Sequence, residues 1–172
     1  MKYLDITYPD INNGLGCRVT LWVSGCSNHC PGCQNQFTWD KNAGTKFDYS
    51  DVVERVSGIL DKPYIAGWTL SGGEPLDLRD EEKLPIILNL VKILKEKYPE
   101  KNLWVYSGFT LSELQENPIA KEILRYVDVL VDGRFILELR NTSLEFRGSS
   151  NQVIWRNTGN GEFVKYTEIM KR

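Results

Sequence analysis

The order of strands and helices along this chain predicts an α/β fold built on a parallel sheet, and three observations carry that reading. Short strand-like stretches alternate with amphipathic helical ones, the mark of βαβ units with right-handed crossovers. Each of the four clearest strands runs into a turn of distinctive composition: a cysteine-rich loop, Gly72-Gly73-Glu74-Pro75, Ser107-Gly108 and Asp132-Gly133. The length, 172 residues, suits one domain with a real core but falls short of the ~250 that a closed eight-fold α/β barrel needs.

Taken in order, residues 1–16 are polar and turn-rich, with Asn12-Asn13-Gly14 and Gly16 as turn points. Over 17–24 the residues alternate. Cys17, Val19, Leu21 and Val23 share one face and Arg18, Thr20, Trp22 and Ser24 the other, which predicts a strand ended by Gly25. A helix is expected over 50–61, with Ser50 as N-cap, Asp51 and Glu54 at its positive end, and Val52, Val53, Val56, Ile59 and Leu60 as an apolar stripe. Lys62-Pro63 stops it. A second strand, about 64–70, leads into the Gly-Gly turn.

A stronger helix follows over 83–97, with Leu84, Ile87, Leu88, Val91 and Leu94 on one face and Pro85 accommodated in its first turn. A third strand covers 103–106. Helical stretches over 111–125 are broken at Asn117-Pro118, and a fourth strand covers 127–131. Beyond it the pattern gives a short helical or extended piece at 135–140, a strand around Val153-Ile154-Trp155, and a Gly159-Asn160-Gly161 turn into a last extended segment. The core is thus expected at about 17–156, with 157–172 as a C-terminal tail and no second domain. Ligands of such folds bind beyond the carboxyl ends of the strands, so a parallel topology would gather the four turns on one rim.

Composition narrows the function. With 41% hydrophobic and 26% charged residues the mix is that of an ordinary globular domain. A net charge of −2 gives no electrostatic footprint for nucleic acid or an anionic membrane. No apolar run approaches the ~20 residues of a membrane span, and Met1-Lys2-Tyr3-Leu4-Asp5 is not a signal-peptide start. These features predict a cytoplasmic protein, where cysteines serve metal or redox chemistry rather than disulfides.

Three of the four cysteines fall within Cys26-Ser27-Asn28-His29-Cys30-Pro31-Gly32-Cys33. Three thiolates on one short loop can hold three irons of a cubane iron–sulfur cluster and leave the fourth open to a ligand that is not protein. Three other readings stand beside this one; that the cysteines are incidental fits poorly with three in eight residues. A structural zinc site would need His29 or Cys17 as a further ligand, yet there is no second short-spaced pair. A ferredoxin-like electron carrier would need Cys17 as fourth ligand, and the parity of Cys17 puts it with the core residues. His29, the one histidine, carries no assigned role. Gly72 and Gly73 let backbone approach a ligand closely, and Glu74 can meet an ammonium group. Asp132, following Val129-Leu130-Val131, would emerge on the rim, as a turn cap or as a partner for a cation or hydroxyl.

The Cys26-x-x-x-Cys30-x-x-Cys33 pattern after a first strand resembles the signature of the radical S-adenosylmethionine enzymes. Gly72-Gly73-Glu74-Pro75 is similar to the segment that receives the methionyl amino group there. The blocks Cys30-Pro31-Gly32-Cys33-Gln34-Asn35, Leu103-Trp104-Val105-Tyr106-Ser107-Gly108, Val129-Leu130-Val131-Asp132-Gly133 and Arg147-Gly148-Ser149-Ser150-Asn151-Gln152 resemble the activating proteins of anaerobic (class III) ribonucleotide reductase. The resemblance implies a partial, incomplete parallel βα barrel of the radical S-adenosylmethionine type. It implies one [4Fe–4S] cluster on Cys26, Cys30 and Cys33, and S-adenosylmethionine held by Gly32, Cys33, Gln34, Gly72, Gly73, Glu74, Ser107 and Asp132. Gly32 stands where many relatives have an aromatic, so adenine would meet backbone around Gly32 to Gln34. The implied activity is reductive cleavage of S-adenosylmethionine, fed by an external one-electron donor, to place a glycyl radical on the anaerobic reductase. Other readings are activation of a different glycyl-radical enzyme, radical modification of a small molecule, or a non-catalytic zinc or electron-transfer module.

Overall fold

The structure, a computed structural model, describes residues 1–170. Among the described residues its elements are β1 (Lys2–Asp10), β2 (Cys17–Val23), β3 (Thr45–Lys46), α1 (Tyr49–Leu60), β4 (Ile65–Gly72), α2 (Lys83–Lys97), β5 (Asn102–Tyr106), α3 (Leu111–Glu116), α4 (Pro118–Leu124), β6 (Val129–Asp132), β7 (Val153–Gly159), β8 (Glu162–Lys165) and α5 (Thr167–Met170). The strands form one sheet in the order β3-β1-β2-β4-β5-β6-β7-β8. The expected parallel set, β2-β4-β5-β6, is its centre, and antiparallel strands flank it on both sides. The sheet is therefore mixed, with β3 and β8 as its edges.

The helices follow their local signals. Asp48, not Ser50, caps α1 by accepting the Asp51 N–H at 3.1 Å, so the helix starts one turn position early. α2 spans 83–97 as the pattern requires, and Pro85 lies in its first turn, where an N–H has no helical partner. Asn117 separates α3 from α4 because its side chain accepts from Ile119 N and Ala120 N, both at 3.0 Å, and Pro118 begins the new helix.

β1 departs from expectation. Residues 1–16 read as turns, yet Lys2–Asp10 is a strand paired with β2. Register shifts between Tyr3 and Asp5 and between Thr7 and Asp10 break the two-residue period, so no clean alternation survives in the sequence. The segment beyond 156 also adds to the sheet: β7 continues to Gly159, turns at Asn160, and returns as β8. Positions 171 and 172 of the expected tail lie outside the described residues.

Parity along the central strands divides the molecule. Val19, Leu21 and Val23 of β2, Trp68 and Leu70 of β4, Leu103 and Val105 of β5 and Leu130 of β6 face α1, α2 and α4 in one buried apolar cluster. The opposite parity gives a face that no long helix covers. It carries Arg18 and Thr20, Thr69 and Ser71, and Trp104 and Tyr106, with a smaller cluster of Trp104, Val129, Val131, Ile154 and Ile169. Arg18 is wholly buried there. Its guanidinium lies over Trp104, 5.5 Å from the ring centre, and donates to Thr69 Oγ1, Leu15 O, Asn102 Oδ1, Trp68 O and Asn102 O at 2.6–3.1 Å. Burial lowers its pKa to about 10, and these acceptors replace its hydration.

Candidate functional site

The four central strands run in parallel, so their carboxyl ends meet at one rim, and a cavity of about 600 Å³ opens there on the helix-free face. Its wall includes Cys26, Cys30 and Cys33, Ser71 to Glu74, Ser107 and Gly108, and Val131 and Gly133.

The cysteine loop leaves β2 through Gly25, whose φ of +86° lies in the left-handed region, and folds back so that Gly25 N donates to Thr38 O at 2.8 Å. Pro31 and Gly32 then make a tight turn, closed by Cys33 N donating to Cys30 O at 3.1 Å with Gly32 at φ +73°. Pro followed by a positive-φ Gly is the residue pair a type II turn requires, and it reverses the chain between Cys30 and Cys33. Asn35 N donates to Cys33 Sγ at 3.4 Å. The His29 ring lies against the Trp39 ring, at 4.7 Å between centroids. Burial pushes the thiols of Cys26 and Cys30 up. Among the described residues no group of three His, Cys, Asp or Glu side chains is already set around one metal ion; the three loop cysteines line one cavity. Cys17 begins β2, at the far end of the strand from this loop.

The Gly-Gly-Glu turn is packed directly against the loop. Gly73 N donates to Val23 O at 2.8 Å and Glu74 N to Gly25 O at 2.9 Å. Gly72 has φ +109°, and a Cβ there would lie 2.6 Å from Val23 O. A Cβ on Gly73 would strike the Gly25 carbonyl and reach Thr38 O at 3.0 Å. Both neighbours are backbone and cannot swing aside. Gly73→Ala is therefore expected to destabilise the metal-free chain by about 2 kcal/mol through overpacking, measured as a drop in thermal midpoint. An unchanged midpoint would mean the loop is loosely seated.

Glu74 is buried and joins three parts of the rim. Its Oε2 accepts from Asn28 Nδ2 at 2.9 Å and Gly108 N at 2.6 Å, and its Oε1 from Leu76 N at 3.1 Å. Burial pushes its carboxyl up to about 7 against these hydrogen bonds, which favour the ionised form. Lys83 is also buried, and its Nζ donates to Gly25 O at 2.8 Å and Glu74 O at 3.0 Å. Asp77 accepts from Ser27 N at 2.9 Å and Ser27 Oγ at 2.6 Å, while Arg79 donates to Ser27 O at 3.1 Å. Asn28 in turn accepts from Arg134 Nε at 3.2 Å. Asn28, Asp77, Lys83 and Arg134 thus hold the loop, and the sequence pattern singled out none of them. A charged residue at the start of an apolar helix, as Lys83 is, was the available signal.

The far wall comes from 133–152. Gln152 Oε1 accepts from Gly148 N at 2.9 Å and Ser149 N at 3.1 Å, and its Nε2 donates to Gly133 O at 2.9 Å, closing the Arg147–Gln152 block into a clasp. Of the residues expected at the site, Gly32, Cys33, Gln34, Gly72, Gly73, Glu74 and Ser107 all line the cavity. Asp132 stands behind the wall: it is buried and accepts the Leu111 N–H at 2.5 Å, at the start of α3. Two buried polar atoms of wall residues, Tyr106 Oη and Arg147 Nε, have no hydrogen-bond partner among the described residues. Unpaired buried donors are costly, so their presence in the wall fits a cavity shaped for a polar ligand.

The model of the 4Fe-4S single cluster domain matches residues 12–155. The chain is 42% identical over 159 residues to the anaerobic ribonucleoside-triphosphate reductase-activating protein of Pasteurella multocida, covering 92% of this chain and 99% of that relative. It is equally identical over 159 residues to the protein of that name from Enterobacteria phage T4 (92% and 96%), and over 149 residues to that of Escherichia coli K12 (86% and 94%).

Proposed function

This chain belongs to the family of the 4Fe-4S anaerobic ribonucleoside-triphosphate reductase-activating proteins, and from that premise we propose that it is a radical S-adenosylmethionine activase of the anaerobic reductase. The convergence of the three cysteines and the Gly-Gly-Glu turn on one cavity of the helix-free face carries the reading. Cys26, Cys30 and Cys33 would hold a [4Fe–4S] cluster, three thiolates from one loop serving three of its four irons. Bound together, the reduced cluster and S-adenosylmethionine supply the hydrogen-abstracting radical chemistry that leaves a glycyl radical on the reductase.

The chain's own residues bind, orient and shield. Gly72 and Gly73 keep the turn low enough for a ligand to reach its backbone, and the buried Glu74 carboxylate would supply the negative charge that an ammonium group of the methionyl part needs nearby. Glu74, already raised to about 7, is held ionised by that cation. Backbone from Gly32 to Gln34 meets adenine, Ser107 closes the neighbouring wall, and Asp132 positions that wall through α3. In this reading the central strands and helices form a partial parallel βα barrel, opened on the side where a partner chain must enter. An external one-electron donor is required, and the work is cytoplasmic; among the described residues no helix is long and apolar enough to cross a membrane.

The test is electron paramagnetic resonance after anaerobic mixing of the reconstituted chain with reductase, reductant and S-adenosylmethionine. A glycyl-radical signal dependent on all four components is expected, with methionine released. A chain that retains a single zinc and leaves S-adenosylmethionine intact overturns the reading.

A further inference from the structure

Lys83 opens α2 and is buried to 1% exposure. An ammonium group out of water is costly unless other groups replace its hydration. Its Nζ has two close acceptors, Gly25 O at 2.8 Å and Glu74 O at 3.0 Å, and both are backbone. The nearest carboxylate, Asp80 Oδ2, is 3.9 Å away and partly exposed. Burial pulls the Lys83 pKa below the usual lysine range, while the carboxylates of Asp77, Asp80 and Glu74 favour the cation. Tying two turns together does not need a charge, since a neutral hydroxyl or amide can donate to carbonyls with less loss of hydration. It is the charge that calls for a reason.

Its position supplies one. Gly25 O belongs to the peptide group whose N–H is that of Cys26, and the same oxygen accepts from Glu74 N at 2.9 Å. By the reach of the bonds between them, the ammonium group stands no more than roughly 10 Å from the Cys26 sulfur. Two other cations meet the loop, Arg79 at Ser27 O and Arg134 at Asn28 Oδ1. Arg79 is exposed and Arg134 half-buried, so water screens both. Lys83 is the cation at the loop that solvent does not reach.

We propose that Lys83 sets the reduction potential of the iron–sulfur centre, its buried cation offsetting the negative charge of the added electron so that an external donor can load it. Net charge near a cluster is one of the levers on its potential. A unit charge at ~10 Å, at an effective dielectric of about 20, changes such an equilibrium by roughly tenfold. The donor is oxidised by one electron and the cluster reduced by one; no bond breaks and no proton moves. The proposal rests on the activase reading above for the place of the cluster, and adds how its electron is accommodated.

Two variants of opposite sign test it. The full chain is reconstituted anaerobically and titrated with reductant, and the reduced cluster is followed by electron paramagnetic resonance without S-adenosylmethionine or reductase. Lys83→Met keeps an unbranched stem and removes the charge, while Gly25 O keeps its bond from Glu74 N. It is expected to lower the one-electron equilibrium constant about tenfold, a midpoint about 59 mV more negative. Asp80→Asn removes the opposing carboxylate, keeps an oxygen for the Lys83 N–H, and leaves both carbonyl bonds of Nζ in place. It is expected to raise the constant by about threefold, a smaller shift because Asp80 is partly exposed and screened. A lysine that only braced the two turns would leave the Asp80→Asn midpoint where it was, so a midpoint at or below the wild-type value in that variant overturns the proposal. So does an unmoved midpoint in Lys83→Met, or a Lys83→Met chain that folds by circular dichroism yet takes up no cluster. Midpoints that move as expected in a chain that forms no glycyl radical on the reductase overturn the activase reading and leave the role of Lys83 standing.

Discussion

Cys26→Ala, Cys30→Ala and Cys33→Ala are each expected to lower the iron retained after anaerobic reconstitution from about four per chain towards zero, while Cys17→Ala retains it. The difference follows from where the sulfurs lie. The three loop cysteines share one cavity wall, so each can hold one corner of a cluster, and removal of one leaves two thiolates on a mobile inorganic body. Cys17 is at the start of the seven-residue β2, and at ~3.3 Å per residue the strand places it about 20 Å from the loop. Iron and sulfide analysis with the visible spectrum decides the matter. A cluster lost from Cys17→Ala would point to a four-cysteine electron carrier, and full iron in any loop variant would remove that cysteine from the ligand set.

Arg18→Leu is expected to cost about 4 kcal/mol of folding stability, at the upper end of single substitutions, or roughly 10 °C in thermal midpoint for a chain of this size. The side chain sits on the helix-free face with five hydrogen bonds into three neighbouring segments. Leucine fills part of the volume and leaves Leu15 O, Asn102 Oδ1 and Trp68 O without the donor they face, each buried acceptor costing about 1–3 kcal/mol. Because Leu15 packs against the Trp104 cluster, the same change loosens the smaller apolar core on that face. Circular dichroism melts of the metal-free chain measure the loss. A shift of less than about 2 °C would show that the arginine is solvated by some other arrangement.

Signals that live within a few residues could be read without coordinates. The span of α2 and the break at Asn117-Pro118 are each set by side chains acting on their own backbone, and each stands where the sequence places it. The rim followed from parity and parallel direction. What stayed hidden was long-range. Asn28 meets Glu74 across 46 residues, Ser27 meets Asp77 across 50, Lys83 meets Gly25 across 58, and Arg134 meets Asn28 across 106. No local pattern distinguishes such a residue from an ordinary surface charge. β1 was missed for a different reason: two register irregularities in nine residues scramble the alternation that announces a strand. Asp132 shows the limit from the other side, since a carboxylate after a buried strand looks alike whether it meets a ligand or, as here, the N–H of Leu111.

The anchoring of Gly25, Ser27 and Asn28 by Lys83, Asp77 and Glu74 has a bearing on biogenesis. All of those bonds are between amino acids, so the seating of the loop on the sheet does not depend on an inorganic part. Iron and sulfide are then expected to be taken up by a chain that folds without them, unlike small zinc modules that condense around their ion.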